Sequence, residues 1–271
     1  VDVSDDAVQA GRRRIETTLD EGVTRRLFTA QTKLDVLSRL TFSTDFRTLH
    51  EAALVVEAVY EDKNVKRNVF LELQKACRPD AILATNTSSF LVTDLAEGLE
   101  QPDRALGLHY FFHPTKNRLV EVIKGKGTSD EAFDVAWQLQ ELSGKTPIAS
   151  RDAPGFIVNR FFVPWLNEAM RLVEEGVADI ATVEEAAKSA FGVGLGPFAL
   201  MNITGVPITL HAANSLAMSM GPFYAPCPLI VPIVEAKAQW KISGTPNPSK
   251  FDIVSKRLWG IVWQIAFQLV F

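Results

Sequence analysis

Between residues 53 and 152, five short apolar runs alternate with stretches of helical spacing, and beyond 152 no comparable alternation continues. The runs are ALVVEAVYE (53–61), AILATNT (81–87), ALGLHYF (105–111), LVEVI (119–123) and TPIASRD (146–152). Helical patterns at NVKRNVFLELQKACR (64–78), VTDLAEGL (92–99) and SDEAFDVAWQLQEL (129–142) lie between them. Strands that pair in parallel need crossover connections. Helices then cover both faces of the sheet, so its strands read as near-continuous apolar runs. The pattern predicts an α/β fold with a doubly wound, mainly parallel sheet. Ligands of such sheets bind beyond the carboxyl ends of the strands, and the polar groups Glu61, Asn86 to Ser89 and His109 gather there.

After DAPG (152–155) the chain reads as helical. FIVNRFFVPWLNEAMRLVEEG (156–176) predicts one long helix, in which Pro164 removes a backbone hydrogen bond. Further helical patterns cover 182–191 and 206–220, followed by the Pro-rich GPFYAPCPLIVP (221–232) and the loop SGTPNPSKFD (243–252). Shifted by 97 positions, RFFVPWLNEAMRLV overlies RLWGIVWQIAFQLV, with Arg160 on Arg257, Ala169 on Ala266 and Leu172-Val173 on Leu269-Val270. This predicts the start of a second helical repeat. The expected domains are 1–152 (α/β), 153–242 (helical), and 243–271 (a linker and the opening of the repeat).

A net charge of −4 argues against nucleic acid as a partner, because no basic surplus exists to neutralise phosphates. Cys77 and Cys227 lie far apart without metal-ligand spacing and read as buried free thiols of a reducing compartment. With no leader-like start and no apolar run long enough to span a bilayer, the chain reads as cytoplasmic, with neither membrane nor metal partner. VDVSDD reads as the tail of a strand followed by a helix start, and LWGIVWQIAFQLVF stops within a helical pattern without a C-cap signal. The expectation is a piece truncated at both ends.

The segment GLHYFFHPTKNRLVEVI (107–123) carries two histidines four apart. In LVEVI a single carboxylate sits among four apolar residues, and an unpaired buried charge is costly, so Glu121 needs a partner or water. A His–carboxylate pair is the arrangement that holds an imidazole ready as a general base. Taken singly, these residues have plain readings. His109 can be a satisfied histidine at a strand end, and NTSS (86–89) a turn with a helix N-cap. Asp152 and Pro154 can mark a domain link, Gly155 a helix opening, and Asn159 a local backbone bond.

Taken in order, NTSS, GLH with two aromatic residues, LVEV and D-x-PGFIVNR resemble the 3-hydroxyacyl-CoA dehydrogenase family over about residues 1–205. LVVEAVYEDKNVKRNVF and GPFALMNITG (196–205) resemble it as well. The wider arrangement is similar to the dehydrogenase part of multifunctional fatty-acid oxidation proteins, which join it to an enoyl-CoA hydratase (crotonase) domain. The resemblance implies a Rossmann-type domain followed by an all-α domain, which in relatives is a common dimer contact. The implied reaction is NAD-dependent oxidation of (S)-3-hydroxyacyl-CoA to 3-oxoacyl-CoA in fatty-acid β-oxidation or related acyl-CoA metabolism. It also implies roles. His109 would be the base, Glu121 its orienting partner, Ser88 a hydrogen-bond donor to the substrate 3-oxygen, and Asn159 a second group polarising that oxygen. Glu61, Lys66, Asn86 and Ser88 would face the cofactor, and Asp2 the adenine ribose, which favours NAD over its 2′-phosphate. The plain reading of Glu61 and Lys66 is a solvated helix start. Arg25, with Arg12, Arg13, Arg14 and Arg26, would approach the CoA phosphates, unless these arginines form a solvated helix face. The family usually continues Phe-Phe-Asn-Pro after its histidine, whereas this chain reads Tyr-Phe-Phe-His-Pro. His113 therefore enters the substrate loop and stands as a second candidate base.

No G-x-G-x-x-G precedes Asp2, and the GVGLG stretch (192–196) follows a helical pattern in the wrong domain. A sheet without the family's first strand would expose two inner edges. The alternative reading is therefore a non-catalytic acyl-CoA-binding or scaffold domain that lacks the phosphate loop. The joint presence of Ser88, His109, Glu121 and Asn159 favours the enzyme. β-Hydroxyacid dehydrogenases that act on free acids use a lysine in the helical domain, and no lysine lies between Ala153 and Ala187.

Overall fold

The computed structural model describes residues 1–242, in two compact units that divide between Ile157 and Val158. The proposed second repeat and its linker, 243–271, lie outside the described residues. The first unit opens with helices α1 (Asp5–Thr24) and α2 (Ala30–Ser38). It continues as β1 (Leu54–Glu57), α3 (Lys63–Ala76), β2 (Ile82–Thr85), α4 (Val92–Leu95), β3 (Ala105–Tyr110), β4 (Leu119–Lys124), α5 (Asp130–Leu142) and β5 (Thr146–Arg151). The strands form one sheet in chain order. Pairing is parallel except between β3 and β4, which run antiparallel. The segment 111–118 that joins those two strands is too short for a crossover, so β4 must return against β3.

Alternation along the strands sorts the two faces. Ile82, Ala84, Leu106, Leu108, Val120 and Val122 pack against Ala132 and Ala136 of α5. Leu83 and Ala105 point the other way, toward Phe70 and Leu73 of α3 and Leu95 of α4. His109 and Glu121 occupy this second set of positions. Gly107 lies on the same face, where a Cβ would come within 2.9 Å of Ile123 and 3.0 Å of Val92. Glycine therefore lets α4 close down on the sheet.

Two expectations need correction. Val1–Val3 form no strand, and Asp2 N–H donates only to the Ser43 carbonyl at 3.1 Å. One such bond makes no ladder, and the residues lead straight into Ser4, whose hydroxyl caps α1. The described sheet is also continuous, so in place of two inner edges β1 is a single outer edge, and Val56 on it is 37 % exposed. β1 itself is shorter than the apolar run 53–61, because the chain leaves the sheet at Glu57 and turns through Glu61 into α3.

The second unit holds α6 (Val158–Glu174), α7 (Ile180–Phe191), α8 (Pro197–Thr204), α9 (Val206–Met220) and α10 (Ile230–Glu235). Leu166, Met170, Phe198, Met201, Ile230 and Trp240 form its core. Helix α6 runs through Pro164. Two glycines of GVGLG are structural: Gly192 ends α7 in the left-handed region, and Gly196 opens α8. At Gly196 a Cβ would meet the Glu184 carboxyl at 2.5 Å. That buried carboxylate accepts the N–H groups of Gly196 and Phe198 at 2.9 Å, capping α8 from α7.

Candidate active site

Antiparallel pairing sets His109 directly opposite Glu121. The Nδ1–Oε2 distance is 2.6 Å, and the side chains are 8 % and 0 % exposed. A carboxylate only accepts, so in the neutral ring the proton sits on Nδ1 and the lone pair on Nε2. Phe111 and Phe156 flank the ring, with centroids 4.6 and 5.7 Å away. Glu121 Oε1 accepts the backbone N–H of Ile157 at 2.8 Å. Two successive residues with positive φ, Gly155 (72°) and Phe156 (48°), make the turn that leads into this N–H. Phe156, although not glycine, is buried with Val92 and Ile123. Packing thus holds a sparsely populated backbone conformation beside the pair.

The NTSS segment continues β2 past its last ladder pair. Asn86 Oδ1 accepts the N–H of Tyr110 at 2.9 Å, which fastens this segment beside the end of β3 that carries His109. Glu61 organises the rest of the turn. Its Oε1 accepts from Thr87 Oγ1 at 2.6 Å, Ser88 N–H at 2.9 Å and Ser89 N–H at 3.1 Å. Ser88 Oγ lies 3.4 Å from that same oxygen. Glu61 Oε2 lies 3.1 Å from Lys66 Nζ. Burial alone would raise the Glu61 carboxyl, but the Thr87 hydroxyl, the Lys66 charge and the Ser88 N–H outweigh it and hold the group below the ordinary carboxylate range.

The plain alternative reading of Lys66, a solvated helix start, does not hold. Lys66 is 1 % exposed and bonds Glu57 Oε1 at 2.7 Å. Glu57, itself buried, accepts from Thr85 Oγ1 at 2.7 Å. Sequence reasoning missed Glu57, although a lone charge in LVVEA is the same signal that exposed Glu121 in LVEVI. It also missed the Ile157 N–H and the use of Asp152. Leu91, at the N-cap of α4, gives no side-chain cap, and Asp152 supplies it, accepting from Val92 N–H and Thr93 N–H, both at 2.8 Å.

Asn159 stands in the first turn of α6, two residues after Ile157. His113 is half-buried and bonds Thr115 Oγ1 through Nδ1 at 2.8 Å. Arg25 is exposed at the end of α1, 3.8 Å from Glu21. Asp2 is exposed and accepts from Val3 N–H. Cys227 is buried as expected, whereas Cys77 is only half-buried, and both are free. Among the described residues no cluster has the make-up of a metal site, and no helix is long and apolar enough to cross a membrane.

Residues 1–153 match the 3-hydroxyacyl-CoA dehydrogenase NAD binding domain, and residues 155–245 match the C-terminal domain of the same enzymes. The chain belongs to the 3-hydroxyacyl-CoA dehydrogenase family. It is similar to the 3-hydroxybutyryl-CoA dehydrogenase of Clostridioides difficile, 35% identical over 223 residues that make up 82% of this chain and 79% of the relative. A probable 3-hydroxybutyryl-CoA dehydrogenase of Bacillus subtilis is 34% identical over 244 residues, covering 90% and 85%. Among solved structures, Mycobacterium tuberculosis FadB2 superposes with a TM-score of 0.86 at 34% identity, covering 89% of this chain and 85% of that one. The (S)-3-hydroxybutyryl-CoA dehydrogenase PaaH1 of Ralstonia eutropha gives 0.83 at 32%, covering 88% and 84%.

As a member of this family the protein is an NAD-dependent oxidoreductase with an acyl-CoA substrate. The residues present fit a cofactor held beyond the carboxyl ends of the strands. Glu61 Oε2 is an acceptor with only Lys66 upon it among the described residues, on a side chain 25% exposed just past the ends of β1 and β2. When bound, the dinucleotide supplies the hydride acceptor, and the chain supplies acid–base groups and orientation.

Proposed function

We propose that the protein oxidises (S)-3-hydroxyacyl-CoA to 3-oxoacyl-CoA with His109 as general base. The observation that carries this reading is the 2.6 Å contact between His109 Nδ1 and the fully buried Glu121 carboxylate. It fixes the tautomer that leaves Nε2 basic, so Nε2 takes the 3-hydroxyl proton as hydride leaves C3. Glu121 then stabilises the imidazolium that forms. Ser88 and Asn159, which match the family's substrate-oxygen positions, polarise the same oxygen. His113, in the loop after β3, shapes the substrate approach. Asn86 and Glu61 hold the cofactor side, with Asp2 toward the adenine ribose and Arg25 toward the CoA phosphates.

The names of the relatives favour a short 3-hydroxybutyryl chain as the first substrate to try. We assign the activity to acyl-CoA metabolism of the β-oxidation type, in the cytoplasm, with the homodimer and the associated hydratase of the family as expected partners. The test is NADH formation from (S)-3-hydroxybutyryl-CoA, its (R) enantiomer and free 3-hydroxybutyrate. Turnover of the (S)-thioester alone is expected, and turnover of the free acid in preference to it would overturn the assignment.

A further inference from the structure

The buried ions beside NTSS are not equivalent. Lys66 directs its ammonium to Glu57 Oε1 at 2.7 Å, Glu61 Oε2 at 3.1 Å and the Val59 carbonyl at 3.2 Å. An ammonium has three protons, and all three are committed to protein acceptors. Glu57 is engaged as well: Oε1 also takes the Val59 N–H at 2.8 Å, and Oε2 takes the Thr85 hydroxyl at 2.7 Å. Glu61 Oε1 holds three donors. Glu57 Oε2 and Glu61 Oε2 each hold one donor among the described residues, but the Glu57 side chain is 0% exposed and that of Glu61 25%, so Glu61 Oε2 is the oxygen with spare acceptor capacity that a ligand can reach. Two carboxylates stand against one ammonium. Because Glu57 takes the closer contact with Lys66, the uncompensated negative charge falls on Glu61.

We propose that Glu57 and Lys66 are positioning residues that hold Glu61 as an uncompensated carboxylate at the nicotinamide end of the cofactor, so that the site favours the oxidised, cationic ring over the neutral reduced one. The proposal rests on the cofactor reading given above. A carboxylate attracts the ring charge only in the oxidised form, so the effect lies in the ratio of the two affinities.

The experiment measures dissociation constants for NADH by fluorescence titration and for NAD by competition, in the intact protein and three variants. Glu57→Gln leaves Lys66 to Glu61 alone and neutralises the cluster. The preference for the oxidised form should fall about tenfold, the scale expected of one charge near a partly buried ring. Glu57→Gln with Lys66→Met removes both members of the buried pair and restores a single negative charge, so the preference should return to within about twofold of the unmodified protein. A merely structural Glu57 would weaken both forms alike, and the double variant would bind no better than the single one. Either result overturns the proposal. Should Glu57→Gln alone not fold, the double variant against Glu61→Gln decides: the first must keep the preference and the second must lose it. If Glu61→Gln changes neither constant, the cofactor reading itself fails. If it lowers the preference while Glu57→Gln does not, that reading stands and the positioning proposal falls.

Discussion

Replacing Glu121 by Gln changes one atom type in the candidate site and removes a function that only a carboxylate can supply. Glu121 accepts at both ends, from His109 Nδ1 at 2.6 Å and from the Ile157 N–H at 2.8 Å. Glutamine offers one oxygen and one NH₂. With its oxygen toward Ile157, the NH₂ faces Nδ1 and drives the imidazole proton onto Nε2, where it blocks the base. With its oxygen toward His109, two donors confront each other at Ile157. The residue is 0 % exposed, so water cannot relieve either arrangement. The wrong tautomer and the unsupported imidazolium should together lower kcat by about 10³–10⁴, or roughly 4–5 kcal/mol of barrier. The unmade backbone bond should cost about 1–3 kcal/mol of folding stability. Single-turnover NADH formation separates the chemical step from product release, and urea unfolding reads the stability. In a His109→Ala background the same change should lower the rate by less than about threefold, because the two residues act as one unit. A kcat within tenfold of the unmodified protein, or effects that multiply fully in the double variant, would refute the reasoning.

Two further outcomes follow from the surrounding structure. Asp152→Ala removes the acceptor for the N–H groups of Val92 and Thr93, and should lower stability by about 2 kcal/mol. The check is a shift in urea midpoint at unchanged m-value, and no shift would mean α4 does not depend on that cap. Glu61 is held below the ordinary carboxylate range, so the stability it contributes is present above its unfolded pKa and is lost as pH falls through the folded one. Glu61→Gln should therefore flatten the acid limb of folding stability against pH, and identical slopes in the two proteins would contradict the shift.

The order of strands and helices is legible in the sequence because a sheet covered on both faces needs continuous apolar runs, and the helices between them carry polar caps such as Asp62 and Ser129. The His109–Glu121 pair is legible for a related reason: a lone charge in a buried strand demands a partner, and the short link between β3 and β4 brings one opposite. Glu57 obeys the same rule, but its partners are Lys66 on the next helix and Thr85 on the next strand. The polar neighbourhood YEDKNVK reads as a solvated surface until the fold closes over it. Asp152 caps a helix 60 residues upstream, and the Ile157 N–H reaches Glu121 only through the positive-φ turn at Gly155 and Phe156. Pairings of that range leave no local trace. The strand expected at Val1–Val3 fails because β propensity without an adjacent ladder forms nothing.

The most direct test of the central claim compares His109→Gln with His113→Gln. Both are assayed for turnover of (S)-3-hydroxybutyryl-CoA and, by calorimetry, for binding of the thioester. The account predicts that His109→Gln loses about 10⁴-fold in kcat while binding changes by less than about threefold, and that His113→Gln keeps kcat within about tenfold and shifts KM instead. Near-normal turnover by His109→Gln, or a greater loss of kcat in His113→Gln, would contradict it.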